Sequence, residues 1–177
     1  DSIPTVFISG QVSTNQTLSE TGLNVRQIGD QEADIISIVK PLTKYAVMFK
    51  DPNMIKLHLD EAFHEATTGR KGPVWLDIPL NVQNAKINPQ SLISISKEPH
   101  LPKPTNAQIK KVVDKIKQAS KPLLIVGNGV RLSGCIPEMK KFLELSKIPT
   151  VTGINGNDLL NEDYEHYCGR FGILGQP

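Results

Sequence analysis

Between Asp51 and Pro79 the chain carries a helix and then a strand, each with its ends marked in the sequence. Helix followed by strand is the repeating unit of a parallel α/β sheet, so this stretch constrains the fold more than any other. Asp51 suits a helix N-cap, and Pro52 suits the first helical position, where a missing N–H is no loss. Ile55, Leu59, Ala62, Phe63 and Ala66 then recur on one helical face. Gly69 supplies the left-handed residue that often ends a helix. Behind it, Pro73-Val74-Trp75-Leu76-Asp77-Ile78-Pro79 reads as a short strand bounded by prolines.

The flanking segments repeat this texture. Val6-Phe7-Ile8 predicts a strand stopped by Ser9-Gly10, and a loop rich in Ser, Thr, Asn and Gly follows to about Gly29. Loops that long are usually functional or disordered. Ala33 to Val39 predicts a helix that halts before Pro41, and Tyr45 to Phe49 a strand. From Leu80 to Pro104 the prolines 89, 99, 102 and 104 and weak periodicity read as an interdomain linker. A second α/β unit opens with Thr105 and Gln108 in capping-box spacing. Its helix puts Ile109, Val112, Val113 and Ile116 on a stripe expected to be buried. Leu123 to Val126 predicts a buried strand, a helix from about Pro137 turns Phe142 and Leu143 inward, and Thr150 to Thr152 predicts the next strand. That is a β-α-β crossover, expected to be right-handed.

Charge narrows the function. Twenty basic and eighteen acidic residues give +2 without any block of like charge. A nucleic-acid binder would carry a basic stripe, so no nucleic-acid partner is expected. No apolar run approaches the ~18 residues of a membrane span. Cys135 and Cys168 fit neither a disulfide framework nor a metal knuckle. They read as reduced, structural thiols, which favours a cytoplasmic address. No targeting segment precedes the first strand, and both ends of the chain read as cut from something longer.

The remaining motifs leave alternatives open. Gly127-Asn128-Gly129 follows a strand and precedes a helix, where backbone N–H groups can face a phosphate. The dinucleotide fingerprint needs a third glycine, but Leu132 occupies that place, and no acidic residue ends the next strand. A tight turn that only glycine can make and a phosphate-bearing ligand both remain as readings. His58, His64, His100 and His166 lack metal-ligand spacing, so no metal site is expected within the chain. Asp60, Glu61, His64 and Glu65 form a solvated helix face. Asp77 is expected to pair with Arg70 or Lys71 as a structural acid. No residue announces catalysis by itself.

Several segments together resemble the acetolactate-synthase-like thiamine-diphosphate enzymes, in the right order and over nearly the whole chain. Ile8-Ser9-Gly10-Gln11-Val12 resembles the strand and loop of their pyrimidine-binding domain. Gly29-Asp30-Gln31-Glu32 resembles their Phe-Gln-Glu segment, with Asp30 in place of the aromatic. Lys40 to Tyr45 and Glu61-Ala62-Phe63 continue it. Gly69-Arg70-Lys71-Gly72-Pro73-Val74-Trp75-Leu76-Asp77-Ile78-Pro79 is the most specific string. Val126-Gly127-Asn128-Gly129, Thr150-Val151-Thr152-Gly153 and Gly169-Arg170-Phe171-Gly172 resemble the first half of the central domain. Arg26-Gln27 and Trp75 look most like a subgroup associated with surface-polysaccharide gene clusters.

The resemblance implies two incomplete α/β domains of parallel-sheet, flavodoxin/Rossmann-like three-layer type. Residues 1–84 would be the C-terminal part of the pyrimidine-binding domain, 85–104 a linker, and 105–177 the N-terminal part of a central, FAD/ADP-binding-like domain. It implies a parent homodimer or homotetramer that binds thiamine diphosphate and Mg²⁺ between subunits and acts on a 2-oxo acid. The parent would decarboxylate that acid and transfer or condense the carbon unit, the carbanion chemistry being the cofactor's. The activating glutamate would lie upstream of Asp1, so no catalytic residue is expected in this chain, which alone would be inactive. Gln31 matches a glutamine near the active site at the subunit interface. Some relatives bind FAD without using its redox chemistry. There Arg70, Gly127, Asn128, Gly129, Thr152, Gly153, Ile154, Gly169, Arg170 and Phe171 would line the site, and others hold ADP or nothing. Pro79-Leu80-Asn81 stands where the family has Pro-Lys-Asp, so the lysine facing the substrate channel is missing. A non-catalytic module holding ADP or FAD in the glycine loop, and a fragment without a ligand, are the alternatives.

Overall fold

The computed structural model describes residues 2–97 and 102–172, which fall into two compact units, Asp1–Pro102 and Lys103–Pro177. In the first unit β1 (Val6–Gln11), β2 (Tyr45–Met48) and β3 (Val74–Pro79) form a parallel sheet in the order β1-β3-β2. The helix α3 (Ile55–Thr67) covers one face. Its Ala62 and Ala66 are buried with Phe49, Val74, Leu76 and Val82, and Ile55 and Leu59 pack against them. Asp51 caps as expected, but its carboxylate accepts from Asn53 N at 2.9 Å and starts a 3-10 turn that leads into α3. Phe63, expected inward, is 58% exposed. Residues 55, 59, 62 and 66 already make a stripe one residue wide per turn, and Phe63 lies at its margin.

Ser9-Gly10 does not stop β1. Every residue from Val6 to Gln11 has a register partner on β3, and the ladder carries the strand through the glycine. The long loop is ordered by short turns. It holds a 3-10 turn at Thr14–Gln16 and α1 (Leu18–Thr21), then leads to α2 (Ile35–Val39), which Asp34 caps from its side chain. Glu32 fastens the loop, accepting from Leu18 N at 2.5 Å and Ile28 N at 3.0 Å. These bonds hold its carboxyl below the usual range. Beyond β3, α4 (Leu80–Gln83) puts Val82 into the first core, and Ser94 Oγ and Ile95 N both donate to Asp60.

In the second unit β4 (Leu124–Val126), β5 (Thr150–Thr152) and β6 (Tyr167–Arg170) run parallel in the order β4-β5-β6. The crossover from β4 to β5 passes through α6 (Gly129–Leu132) and α7 (Ile136–Ser146). Val126, Met139, Leu143, Leu159 and Leu160 form its core. The capping box of Thr105 and Gln108 opens α5 (Asn106–Gln118) with both reciprocal bonds made. The stripe on α5 is not buried, however: Ile109, Val112 and Val113 are exposed and Ile116 half-buried. Leu123 and Ile125 are likewise exposed, as is Phe142, whose place in the core Met139 takes beside Leu143. Both cysteines are free and exposed, so they are not packing residues. Among the described residues no helix is long and apolar enough to cross a membrane.

Candidate functional site

In the second unit the three parallel strands end together. Gly127 follows β4, Gly153 follows β5 and Phe171 follows β6. Gly153 N donates to Val126 O at 2.9 Å, and Phe171 N donates to Thr152 O at 3.0 Å. These two bonds bring Gly127, Asn128, Gly129, Thr152, Gly153, Ile154, Gly169, Arg170 and Phe171 to one carboxyl edge. In open α/β sheets that edge is where ligands bind.

The residues there have different work. Thr152 is fully buried, and its Oγ1 shares a 2.8 Å hydrogen bond with the Tyr167 hydroxyl, so it is floor rather than contact. Gly169 takes a φ of 95°, a value that suits glycine. The Phe171 ring lies 3.5 Å from where a Cβ on Gly153 would stand, while Ile154 and Phe171 remain exposed. A Cβ on Gly127 or Gly129 would meet nothing within 4 Å, so their backbone is open to a close approach. Gly156 is the opposite case, with its Cβ position 3.1 Å from the Gly127 carbonyl carbon.

Arg131 and Asp158, which no sequence motif marks, stand at the same edge. Arg131 Nη1 donates to Asn128 Oδ1 at 3.0 Å, and Nη2 donates to both carboxylate oxygens of Asp158 at 2.7 Å. This contact holds the Asp158 carboxyl below its usual range. Arg170 Nη2 lies 3.6 Å from Glu162. An arginine one helical turn after Asn128 was the available signal; its partner, 27 residues on, was not.

In the first unit a cleft of about 680 Å³ opens among the carboxyl ends of the strands, α2 and the long loop. Gln11 and Asp77 line it from the sheet, Glu32 and Ala33 from the loop. Asp77 does not pair with Arg70 or Lys71. It is 1% exposed and accepts from Ser9 Oγ at 2.6 Å and Gln11 Nε2 at 3.1 Å. Alternation explains this: Ser9 stands opposite Asp77 on the same face, and Gln11 is two residues further along it. Burial pushes the Asp77 carboxyl up, against the pull of those two donors. Gln31 is exposed next to the cleft-lining Glu32. Arg70 is exposed and its Nε donates to Ser2 Oγ at 2.9 Å. Gln31 and Arg70 thus belong to the first unit, and the other candidate residues to the second. Among the described residues no group of three His, Cys, Asp or Glu side chains could hold a metal ion.

Residues 109–177 match the family described as thiamine pyrophosphate enzyme, central domain. The chain is 38% identical to the acetolactate synthase large subunit of Corynebacterium glutamicum, over 99% of this chain and 27% of that protein. It is 33% identical to the probable acetolactate synthase large subunit of Methanocaldococcus jannaschii, over 99% of this chain and 29% of the relative. It is 30% identical to the glyoxylate carboligase of Escherichia coli O157:H7, over 98% and 28%. The chain therefore spans less than a third of the length of these relatives.

Proposed function

We infer that this chain is part of an acetolactate-synthase-like thiamine-diphosphate enzyme, a protein that decarboxylates a 2-oxo acid and transfers or condenses the carbon unit so released. The carrying observation is that similarity to such enzymes runs over 99% of the chain, through both structural units. Relatives named acetolactate synthase and glyoxylate carboligase both support carbon–carbon joining as the reaction class.

On this reading residues 1–84 are the C-terminal part of the pyrimidine-binding domain, 85–104 the linker and 105–177 the N-terminal part of the central domain. The parent is a cytoplasmic homodimer or homotetramer that takes Mg²⁺ with thiamine diphosphate, and the bound cofactor supplies the carbanion chemistry. This chain's share is positioning. The Asp77 network fixes the end of β1 and the loop that carries Gln31, and so shapes the cleft beside it. In the second unit the open backbone at Gly127 and Gly129 fits the diphosphate of ADP or FAD. Thr152, Gly153, Ile154 and the Gly169–Phe171 run form the floor and wall. Asp30 and Leu80, standing where the family has an aromatic and a lysine, argue for a substrate pair other than that of acetolactate synthase.

The test is to purify the intact gene product, add thiamine diphosphate and Mg²⁺, and offer a panel of short 2-oxo acids. Release of CO₂ with formation of a longer hydroxy-keto product is expected from at least one. No cofactor-dependent CO₂ release across the panel would overturn the reading.

A further inference from the structure

We propose that Asp158 is an anion filter at the carboxyl edge of the second unit, an internal carboxylate that a ligand phosphate must displace from Arg131. This rests on reading that edge as a nucleotide site. Asn128 sits between the two open glycines, and its Oδ1 takes one donor of Arg131. A second donor group, Nη2, is taken by both oxygens of Asp158 at 2.7 Å. Asp158 lies two residues past Gly156, whose backbone rests on that of Gly127. The pair therefore spans the two turns that flank the edge, one after β4 and one after β5.

A guanidinium beside an open glycine loop is well suited to a phosphate, since its planar fork recognises that group. Here the fork is already engaged and its charge offset. The second arginine of the edge, Arg170, also has a carboxylate near it, Glu162 at 3.6 Å. An incoming diphosphate meets a neutralised edge with an acid in the place it would take. The barrier is modest, because the side chains of Arg131 and Asp158 are 40% and 69% exposed and such pairs are weak and screened by salt. A tethered carboxylate still competes at high effective concentration. Asp158 thus weakens every phosphate that needs Arg131 by the same factor, so useful binding is left to ligands that bring enough contact elsewhere at the edge, for example against the exposed Ile154 and Phe171.

The charge is separated from the scaffold by Asp158→Asn, which keeps an acceptor for Arg131 and removes the anion. ADP affinity is measured by calorimetry on the intact gene product, without Mg²⁺, at low and moderate salt. Asp158→Asn should bind ADP roughly two- to fivefold more tightly than wild type, as expected when an exposed pair no longer competes. The gain should shrink as salt rises and vanish in the Arg131→Gln/Asp158→Asn double variant. Equal affinity in wild type and Asp158→Asn, or a gain that persists in the double variant, overturns the filter alone. Absence of ADP binding in every variant overturns the nucleotide reading of this edge and the filter with it.

Discussion

Ser9 and Asp77 are register partners in the parallel ladder between β1 and β3, and Ser9 Oγ donates to Asp77 Oδ1 at 2.6 Å. The Trp75 indole N–H donates to the same Ser9 oxygen at 2.8 Å, and Phe7 stacks on Trp75 with ring centroids 5.1 Å apart. Gln11 Nε2 donates to the other carboxylate oxygen and to Ala33 O at 2.7 Å, which ties the long loop to the sheet. A polar group this buried is tolerated only while its bonds are made. One face of the sheet is thus a core against α3, and the other carries a polar ladder that ends in the cleft.

Removing the acid should therefore strand its donors. Asp77→Ala is expected to destabilise the protein by about 1–3 kcal/mol, the cost of leaving buried donors unpaired, and Ser9→Ala by about 1 kcal/mol. The double variant should cost less than the sum, since both changes remove one shared bond. Urea unfolding of the intact gene product measures all three, and strict additivity would show that the two side chains are not coupled.

Asp77 and His58 should give opposite pH dependences. Burial raises the Asp77 pKa in the folded state. Its contribution is then fully present below the ordinary aspartate value of about 3.9 and is lost as pH rises through the folded value. His58 stands against Phe49 and shares a 2.7 Å hydrogen bond with the Tyr45 hydroxyl, and burial lowers its pKa despite nearby Glu61. That contribution is present above about pH 6.5 and is lost as pH falls through the folded value. Wild type should lose stability on acidification below about pH 6.5 and His58→Gln should lose less. Identical urea midpoints for the two across that range would rule out His58 as the cause.

Element type was legible wherever period and caps agreed, as in α3, β3 and the Thr105–Gln108 box, because those signals are local. Burial was not. Val112 and Ile125 are apolar on the expected spacing yet exposed, since periodicity names the face but not what covers it. β6 is hidden in the sequence for a related reason. Tyr167-Cys168-Gly169-Arg170 has a loop's composition and becomes a strand by pairing with β5. At the second carboxyl edge the glycines could be located from sequence, whereas the Arg131–Asp158 pair required the fold to bring two distant segments together. The sequence around Asp77 offers Arg70 and Lys71 as its nearest basic partners, and neither is used. The ladder supplied Ser9, 68 positions away, instead.

Two glycines of the second unit should separate stability from binding. Gly156 is buried, and a Cβ there would stand 3.1 Å from the Gly127 carbonyl carbon, 3.2 Å from its Cα and 3.1 Å from Leu159 Cδ1. Backbone gives way less readily than a side-chain tip, so Gly156→Ala should cost about 1–3 kcal/mol, the usual range for overpacking. Gly129 begins α6 with open space over its backbone. Gly129→Ala should leave stability unchanged or raise it by up to about 1 kcal/mol, because alanine restricts the unfolded chain and suits a helix. On the nucleotide reading the same methyl group stands where a phosphate approaches, so ADP binding should weaken while the urea midpoint holds. If Gly129→Ala unfolds as easily as Gly156→Ala, the contact between the two turns is not what singles out Gly156. If it folds well and binds ADP as wild type does, the ligand does not approach the backbone at Gly129.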